Sequence, residues 1–576
     1  MARKQTSLTI GKSRLQLTTS PDHFISRAPV EKLAGKFDVV RRLSPHSVVV
    51  RSTEARLNRD MLAARKEGPA FRLYLIDGEH EFSPSDRLFV RFKSRTTPTD
   101  ADAFGRDHDL IRLNKYSDID YLFRLGEGHT DPVESANEIA SSADKRLRAV
   151  EVDPNFIPCP LDDALPRTVN RLTVPDRLAR EQWHLSDEAA QRKGALASMR
   201  CDEAWDLLGA HGPQYGSKDV VIGFIDSGFY VRSPELDVDK IVNAAFVEGR
   251  ALRRMKDITG AGAQRLVSVR GGSFHGGLCA TAALASVNNI DGVGVAPNCS
   301  MIPVNAEVDH TGRALMMSAS LYLDILKFLN PQVDIISQSW HRAFDNVWPT
   351  VVVDAIRIAA TTGGRRGKGI VFIWSAGNDN CPLDYAGRED VPIDYDSKTG
   401  KPQTRTEFVN PLIRIDGVMH VAAISSQLQR CHYSNYGDGV TVCAPSNNEH
   451  SYTRLPLKGV PVQVSFGQHM LLELSGTSAS TALVSGVAAL VISANPDLSA
   501  AEVVDVLRET ARREGLDTTR YPKFANWDIS PVAPFDDGSF KRPTNQEVPW
   551  SPWFGHGMVD AAAAVEEALR LRGVTP

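Results

Sequence analysis

Short apolar runs alternate with longer helical patterns from about Arg200 onward, and this alternation limits the fold more than any other feature of the sequence. Apolar residues at three- and four-residue spacing predict helices over Leu315–Leu329 and Val351–Thr361. The apolar runs predict strands at Val220–Ile225, Ile302–Val308, Val333–Ser337, Ile370–Ser375, Val418–Ser425 and Val440–Ala444. Strand, helix and strand in repeated order are typical of a parallel sheet covered on both faces. We therefore expect residues 200–576 to form an α/β domain around a doubly wound parallel sheet.

The first 160 residues follow a different pattern, which predicts a smaller α+β module. The predicted order is β-α-β-β-α-β, as in ferredoxin-like modules, and its elements lie at Arg87–Lys93, Thr99–Leu110, Leu113–Leu125, Pro132–Asp144 and Leu147–Val152. Residues 87–158 are assigned to this module. A fainter strand, helix and strand order over Val39–Arg51, Arg56–Lys66 and Phe71–Ile76 predicts that residues 1–86 are a diverged duplicate. The periodicity is broken by Pro154, Pro158, Pro160 and Pro166, so residues 159–199 are predicted to be an exposed linker and lead-in.

Charge and cysteine content exclude several classes of protein. The 66 Lys and Arg residues against 70 Asp and Glu residues give a net charge of −4, so no global charge favours nucleic acid as a partner. With 24% charged and 42% hydrophobic residues, the composition is that of a globular protein. The seven cysteines are dispersed and form no CxxC pair, so neither a disulfide framework nor a zinc site is expected.

Two segments bear on where the protein resides. Met1–Gln16 contains no apolar run of the kind found in secretory signals. The longest apolar stretch near the C-terminus, Ala482–Ala494, is shorter than the roughly 18 residues that cross a membrane. We therefore expect no membrane span and a cytoplasmic location.

Four polar side chains lie at predicted strand ends or helix starts. Asp226 ends the strand Val220–Ile225, at the sheet edge where open α/β sheets build their sites. His275 follows a glycine-rich approach and begins a helix, and Asn378 follows another predicted strand. Ser478 opens the most apolar helix of the chain. Each has a structural alternative: a turn-forming Asp or Asn, an exposed His, and a Ser that only caps its helix.

Together the four residues supply the parts of a nucleophilic site. A serine hydroxyl is a weak nucleophile, so it needs a base to accept its proton, and that base needs an acid to orient it. Ser478, His275 and Asp226 can fill these roles. The amide of Asn378 and the backbone N–H of Ser478 can then donate to an oxyanion.

The chain resembles the subtilisin family of serine peptidases (subtilases, peptidase family S8), in which the catalytic residues follow the same Asp, His, Ser order. The resemblance covers about Ala204 to Ala564. It rests on the motifs Asp226-Ser227-Gly228, His275-Gly276-Gly277, Asn288-Asn289, Gly294-Val295-Ala296-Pro297, Ser375-Ala376-Gly377-Asn378, Tyr433-Ser434-Asn435-Tyr436-Gly437, Gly476-Thr477-Ser478 and Gly555-His556-Gly557-Met558-Val559-Asp560-Ala561. It implies a subtilisin-like fold for residues 200–576.

The segment Arg87–Phe156 is similar to the inhibitory, chaperone-like propeptides of that family. The resemblance implies that the N-terminal module assists folding and blocks the cleft until the linker is cut. The alternative is a permanent regulatory or partner-binding domain.

The substrate-binding strand departs from the family pattern. The family usually has Ser-x-Gly-Gly, whereas this chain has Ser339-Trp340-His341-Arg342. The resemblance places the peptide between the backbone of Ser339, Trp340 and His341 and that of Ser375, Ala376 and Gly377. We hypothesise that Trp340 and Arg342 restrict access and make the enzyme selective. The alternative is that these side chains point away to solvent.

The resemblance also implies a structural calcium ion near the loop Val287–Asp291, with Glu235 and Asn289 as ligands. The loop is about one residue shorter than is usual in the family, and a plain turn is the alternative. The chemistry itself requires no cofactor.

The expected function is that of a serine endopeptidase that acts on a protein or peptide through an acyl-enzyme. A transpeptidase or peptide cyclase of the same fold would use the same triad and pass the acyl group to an amine. A catalytically silent peptide-binding protein is the third reading, but such a protein would be expected to lack a triad member.

Overall fold

The computed structural model describes most of the chain. It covers residues 5–574 except 45–46, 77–79, 130, 155–156, 161–181, 232, 234, 250, 256–261, 267–273, 289–291, 310–311, 313, 342–347, 396–401, 449–459, 466–468, 520–530 and 543–547. Three features singled out in the sequence lie outside the described residues: Asn289, Arg342 and the glycine-rich approach to His275.

The first sheet has six strands, all paired antiparallel, in the order β3-β4-β2-β5-β6 with β1 paired to β2. Its elements are β1 (Gln5–Ile10), β2 (Ser13–Ser26), α1 (Val30–Leu33), β3 (Asp38–Ser44), β4 (Ser47–Arg51), α2 (Leu57–Ala64), β5 (Ala70–Ile76) and β6 (His80–Phe82).

The second sheet has the strand order and the two helices of the predicted ferredoxin-like module. The elements are β7 (Pro84–Phe92), α3 (Pro98–Asp107), β8 (Leu110–Lys115), β9 (Asp120–Leu125), α4 (Pro132–Ala140) and β10 (Leu147–Pro154). The antiparallel order is β10-β7-β9-β8. Thr97 and Asp131 cap the two helices through their side chains, and each is followed by a proline, which suits the first helical position.

The two N-terminal sheets share one hydrophobic cluster, in which Leu17 and Ile76 of the first sheet join Phe92 and Phe123 of the second. β7 begins at Pro84, before the predicted boundary at residue 87. The first sheet does not repeat the strand order of the second in the described residues, so the two differ in topology although both combine antiparallel strands with helices.

The remaining strands belong mainly to one eight-stranded sheet. They are β11 (Ile157–Pro160), β12 (Val221–Asp226), β13 (Ala245–Glu248), β14 (Ala251–Arg254), β15 (Ser300–Asn305), β16 (Ala314–Met317), β17 (Ile335–Gln338), β18 (Val371–Ser375), β19 (Tyr385–Tyr395), β20 (Pro402–Phe408), β21 (Val418–Ile424), β22 (Val440–Pro445), β23 (Val460–Ser465) and β24 (His469–Leu474). The large sheet runs β14-β13-β15-β12-β17-β18-β21-β22 and is parallel except for β14. The pairs β11–β16, β19–β20 and β23–β24 form separate two-stranded ribbons.

Helices cover both faces of the large sheet. They are α5 (Asp187–Lys193), α6 (Cys201–His211), α7 (His275–Leu284), α8 (Ala319–Leu329), α9 (Thr350–Thr362), α10 (Gly476–Ala494), α11 (Ala500–Glu509) and α12 (Ala561–Leu571), with short 3₁₀ turns at Val238–Lys240 and Gly262–Arg265. Alternate strand residues face opposite sides: Phe224 packs in the cluster that contains α7 and α10, and Ile225 packs in the cluster that contains α8 and α9. The predicted doubly wound α/β fold is therefore confirmed.

Two predicted elements differ from the structure. The apolar stretch Leu315–Leu329 divides into the strand β16 and the helix α8, because Ser318 interrupts it and caps the helix by accepting a hydrogen bond from Leu321 N. The first part of the predicted exposed linker is also ordered: Ile157–Pro160 forms β11, which pairs antiparallel with β16. Proline is compatible with a strand at an edge, where its missing N–H costs no ladder bond.

Among the described residues, α10 is the one helix that is long and apolar enough to cross a membrane. All of its residues are buried inside the protein, where it packs between the large sheet and the helices α7 and α12. Core helices of this kind meet the same length and composition criterion.

Candidate active site

Asp226 and His275 are brought together by a short turn after β12. Asp226 is the last residue of β12, and His275 is the first residue of α7. The backbone N–H of Gly276 donates to Ser227 O at 2.7 Å, which holds the start of α7 against that turn. A Cβ at Gly276 would lie 2.9 Å from the Asp226 Cβ, so only glycine permits this approach.

Ser478 lies in the first turn of α10, the helix that fills the core beneath the sheet. Gly476 begins the helix with φ +72°, a left-handed conformation that favours glycine. Ser478 is fully buried from solvent and its hydroxyl donates to Ser339 O at 2.8 Å. The fold thus places a hydroxyl near the N-terminal end of a helix dipole.

The three side chains form a continuous hydrogen-bonded row. The Nδ1 atom of His275 lies 2.8 Å and 3.0 Å from the two carboxylate oxygens of Asp226. Its Nε2 atom lies 2.9 Å from Ser478 Oγ. These groups are separated by 49 and 203 residues in the sequence, and all three are buried. When the Ser478 hydroxyl turns its single proton from Ser339 O to His275 Nε2, the imidazole can accept that proton while the carboxylate orients the ring.

The charge of Asp226 controls the protonation of His275. Burial lowers the pKa of the imidazole, but the attraction of the adjacent Asp226 carboxylate outweighs burial, and the pKa is raised well above its ordinary value. The protonated ring that forms when it takes a proton from Ser478 is therefore stabilised.

Asn378 lies just past β18 and is positioned by its neighbour in α10. Its side-chain oxygen accepts from the N–H of Thr477 at 3.0 Å and from the Thr477 hydroxyl at 2.9 Å. Because the oxygen is held in this way, the amide NH₂ is the end that points away from Thr477. A fixed amide donor one residue from the Ser478 backbone is suited to an oxyanion.

The predicted substrate-binding residues separate into two groups. Ser339 contacts Ser478 in both directions, since its own hydroxyl donates to Ser478 O at 3.2 Å. A small cavity beside the site is lined by His341, Ser375 and Ala376, and Gly377 lies against the His341 ring.

Trp340 does not restrict the cleft, and this part of the selectivity hypothesis is wrong. The side chain is fully buried, its indole N–H donates to Ile225 O at 2.9 Å, and its ring contacts Trp374 with centroids 4.6 Å apart. It points into the core, where it packs against Tyr322 and Trp374, and therefore faces neither substrate nor solvent. Arg342 lies outside the described residues.

Two sets of groups bear on metal binding. Asp226, His275 and Cys279 are close enough together to hold a metal ion. His275 Nδ1 is engaged with Asp226, and burial raises the pKa of the Cys279 thiol, which makes it a poor ligand, so this set does not favour a metal. Glu235, the predicted calcium ligand, is fully buried, and its predicted partner Asn289 lies outside the described residues.

A hydroxyl that contacts an imidazole, which in turn contacts a carboxylate, is the arrangement of serine-type hydrolases. Comparison with known families narrows this class. A model of the subtilase family matches residues 217–540, more than half of the chain, and the protein therefore belongs to the subtilase family of serine-type endopeptidases.

Relatives and a solved structure agree with this assignment. The chain is 27% identical over 415 residues to Furin-like protease 2 of Drosophila melanogaster, covering 70% of this chain and 20% of that protein. It is 26% identical over 414 residues to a Calcium-dependent protease of Nostoc sp. (strain PCC 7120 / SAG 25.82 / UTEX 2576), covering 68% of this chain and 51% of the relative. The chain thus spans between a fifth and about half of these two relatives.

The crystal structure of fervidolysin from Fervidobacterium pennivorans, described as a keratinolytic enzyme related to subtilisin, has a similar fold. The two match with a TM-score of 0.52 at 16% identity, over 84% of this chain and 61% of the other.

Sequence reasoning did not single out Asp379, which lies beside the site. Asp379 directly follows Asn378, so its position at a strand end could have indicated it. Its carboxylate faces His341 Nε2 at 2.6 Å, a contact between two strand ends that no local pattern reveals.

Proposed function

We propose that the protein is an endopeptidase that hydrolyses peptide bonds in a protein or peptide substrate. Ser478 attacks the carbonyl carbon while His275 takes the hydroxyl proton and later gives it to the leaving amine. Asp226 orients the ring and stabilises its protonated form. The Asn378 amide and the backbone N–H of Ser478 bind the oxyanion.

One observation carries this proposal: the row from Asp226 through His275 to Ser478, with both contacts at or below 3.0 Å. All members of the predicted triad are present in this row, which argues against a silent binding protein.

The experiment is labelling of the full chain with a fluorophosphonate probe, followed by peptide mapping. We expect a single modification at Ser478 in the wild type and none in Ser478→Ala. Product masses after incubation with a peptide then separate the reactions: hydrolysis gives products that carry one added water, whereas transpeptidation joins the acyl part to an amine. Absence of labelling in the folded wild type, once the chain has been cut within residues 158–175 so that the N-terminal module no longer blocks the site, would contradict the proposal.

We also propose that the N-terminal module is an intramolecular inhibitor. The segment after β15 leads from the site towards this module: Ala306 N–H donates to Asp226 O at 2.7 Å, and Val308 pairs with Leu315 of β16. The strand β11 adds to β16 on that side in antiparallel register. An extended segment that pairs with an edge strand is a common mode of peptide recognition.

Buried polar contacts support this docking. Glu151 accepts from the N–H and the hydroxyl of Thr350 at the start of α9, at 2.9 Å and 2.7 Å. Asp153 accepts from the hydroxyl and the N–H of Ser320 at the start of α8, at 2.6 Å and 3.2 Å. The module thereby caps two helices of the large domain with carboxyl oxygens, which accept hydrogen bonds that the first turn of a helix leaves unmade.

Processing tests this role. We expect a new N-terminus within residues 158–175 in the wild type and none in Ser478→Ala, because the cut depends on the nucleophile. Full-length wild-type chain that persists with full activity would contradict an inhibitory module and would favour a permanent regulatory domain.

We further propose a hard cation such as calcium beside Glu235. A buried carboxylate suits such an ion. Two nearby carbonyls, those of Leu284 and Pro297, are occupied by the ammonium of Lys240, so the ion would rely on Glu235 and on the adjoining loop. Calcium should then raise the melting temperature of the wild type by several degrees relative to EDTA, and should not do so in Glu235→Gln. An equal response of both proteins would place the ion elsewhere, and no response would exclude it.

A further inference from the structure

His341 and Asp379 form a close imidazole–carboxylate pair beside Ser478 that the proposed triad chemistry does not use. His341 Nε2 lies 2.6 Å from Asp379 Oδ2. His341 follows Ser339, whose carbonyl accepts the Ser478 hydroxyl, by two residues, and Asp379 directly follows Asn378. The pair therefore joins the ends of the neighbouring parallel strands β17 and β18 where the nucleophile and the amide donor lie.

A small cavity lies behind this pair. Its volume is about 20 Å³, room for little more than one water molecule. Its walls combine polar and apolar groups, and the large apolar side chains among them are those of Trp348, Trp374, Leu383, Phe408 and Leu412. A substrate side chain that enters here must therefore take the place of the His341 ring.

Asp379 is the only acidic residue among the described residues that line the cavity. Burial raises the pKa of its carboxyl, but His341 and the amide of Asn435 outweigh burial, so the pKa is lowered and the group is charged. Asn435 Nδ2 donates to the carboxylate at 3.2 Å, and Asn435 Oδ1 accepts from the Asp379 N–H at 3.0 Å. The carboxylate is thus fixed in direction as well as in charge.

The other histidine of the cavity does not balance this charge. Burial lowers the pKa of His420 to about 4, so the ring is neutral near pH 7. Its Nε2 atom lies 3.0 Å from the Asn410 amide nitrogen. Among the lining residues that the structure describes, the charge of Asp379 is thus met by the His341 ring.

We propose that this cavity is the pocket for a positively charged substrate side chain, lysine or arginine, which replaces the His341 imidazole on Asp379. The inference rests on the proposed peptidase function. Asn378 is the proposed oxyanion donor, so the residue that supplies the scissile carbonyl has its side chain nearest to this cavity.

Replacement of the His341 ring on Asp379 by a substrate side chain explains why the pocket would prefer a positively charged residue. A cationic side chain that displaces His341 leaves the Asp379 carboxylate paired, and its methylene groups lie against the apolar walls. A neutral side chain that displaces His341 leaves a desolvated carboxylate without a cation, which is strongly unfavourable. The His341 ring, whose Cδ2 lies 2.8 Å from a Cβ built on Gly377, acts as the resting occupant.

The test compares peptides that differ only in the residue before the cleaved bond: Lys, Arg, Gln, Met or Ala. For the wild type we expect kcat/KM for Lys or Arg to exceed that for Gln and Met by at least about tenfold. Asp379→Asn should reduce this ratio towards one, because the carboxylate that pairs with the substrate cation is lost. His341→Ala should keep the preference for charge, because Asp379 remains.

Fluorophosphonate labelling of Ser478 in each variant separates the two proposals. If Ser478 is labelled but the wild type prefers Ala, or does not discriminate Lys from Gln, then the His341–Asp379 pair only fills the cavity and the inference is wrong. The peptidase function stands in that case. If the folded wild type is not labelled even after the cut within residues 158–175, the peptidase function fails and the inference fails with it. The wild-type peptide series decides the matter even where a variant does not fold.

Discussion

His275 occupies a position where burial and a neighbouring charge act in opposite directions. Burial alone would lower the pKa of the ring, and the Asp226 carboxylate reverses this. The base must be neutral to accept the Ser478 proton, so activity should be lost as the pH falls through the raised pKa and the ring becomes protonated. The position of the acidic limb of the pH profile therefore reports on the contact between these two residues.

Asp226→Asn tests that contact. Loss of the carboxylate charge should move the acidic limb of kcat/KM to lower pH and should lower kcat by about 10⁴, because an amide also favours the wrong tautomer of the ring. The measurement is kcat/KM as a function of pH. Cys279→Ala is the matched control: its Sγ atom lies 3.9 Å from His275 Nδ1, but the thiol stays protonated, so the limb should hardly move. An acidic limb that Asp226→Asn leaves in place would show that another group controls it.

Asn378 allows a second test at the level of one side chain. Asn378→Asp retains the oxygen that Thr477 contacts and removes the donor, and Asn378→Ala removes both. Each should lower kcat by about 10²–10³ with little change in KM, because the lost hydrogen bond forms only with the oxyanion. The steady-state constants of both variants provide the measurement, and an unchanged kcat in either variant would remove Asn378 from the proposed mechanism.

The chemistry of single residues was easier to predict than their surroundings. Asp226, His275, Asn378 and Ser478 were predicted from polar residues at strand ends and helix starts, and the structure brings them together. Their catalytic roles remain predictions. Trp340 was misplaced because the sequence places a residue on a strand but does not show which large aromatic rings surround it in the core.

Strand β10 of the N-terminal module contacts two helices of the large domain, α8 and α9. Glu151 and Asp153 lie in β10 and contact the first turns of α9 and α8. Burial raises the pKa of Asp153 to about 6, against the lowering effects of Ser320 and Arg87. A raised pKa means that the docked form binds a proton more readily than the released form. If the module docks as proposed, this contribution is fully present only below the ordinary pKa of an aspartate, falls as the pH rises, and is lost above about pH 6.

Asp153→Asn should abolish this dependence, because its amide resembles the neutral acid. In the wild-type full chain, the rate of fluorophosphonate labelling should increase between pH 5 and pH 8 at least about fivefold more than in Asp153→Asn. The comparison cancels the pH dependence of His275, which both proteins share. Identical profiles would show that Asp153 does not control access to Ser478.

The predicted elements were most accurate where apolar periodicity was uninterrupted. The predictions for β12, β18 and α9 agree with the structure to within a residue or two. The stretch Leu315–Leu329 was mistaken for one helix because a short apolar strand and a buried helical turn have similar composition. β11 was missed because its prolines indicate a break, whereas the pairing with β16 is tertiary.

Across the whole molecule, the two N-terminal sheets behave as one folded body. They share a hydrophobic cluster, and the Tyr74 hydroxyl of the first sheet donates at 2.7 Å to Oδ1 of Asp131, which precedes helix α4 beside the second sheet. Asp131 in turn caps α4 through Val133 N and Glu134 N. Sequence periodicity could not predict that the two sheets pack against each other, because the alternation of apolar residues in a strand shows only that one face is buried and not what covers it.

Tyr74→Phe measures how strongly the two sheets are joined. Removal of the hydroxyl leaves a buried carboxylate with one partner fewer, so the free energy of unfolding should fall by about 1–3 kcal/mol. Chemical denaturation provides the measurement. In the control Tyr385→Phe, the lost contact is a 3.3 Å bond from Glu389 N at an exposed position, and the loss should be smaller. Equal losses in both variants would contradict a special role for the contact between the sheets.

The pairing of β11 with β16 has a kinetic consequence if the module is cut from the chain as proposed. Before the cut, the N-terminal module and the large domain belong to one molecule, so the rate constant of linker cleavage should be independent of protein concentration. After the cut, the severed piece can rebind only by collision, and each dilution of the sample favours its departure. The time at which the enzyme becomes active would then depend on how far the cleaved protein is diluted as much as on the rate of cleavage.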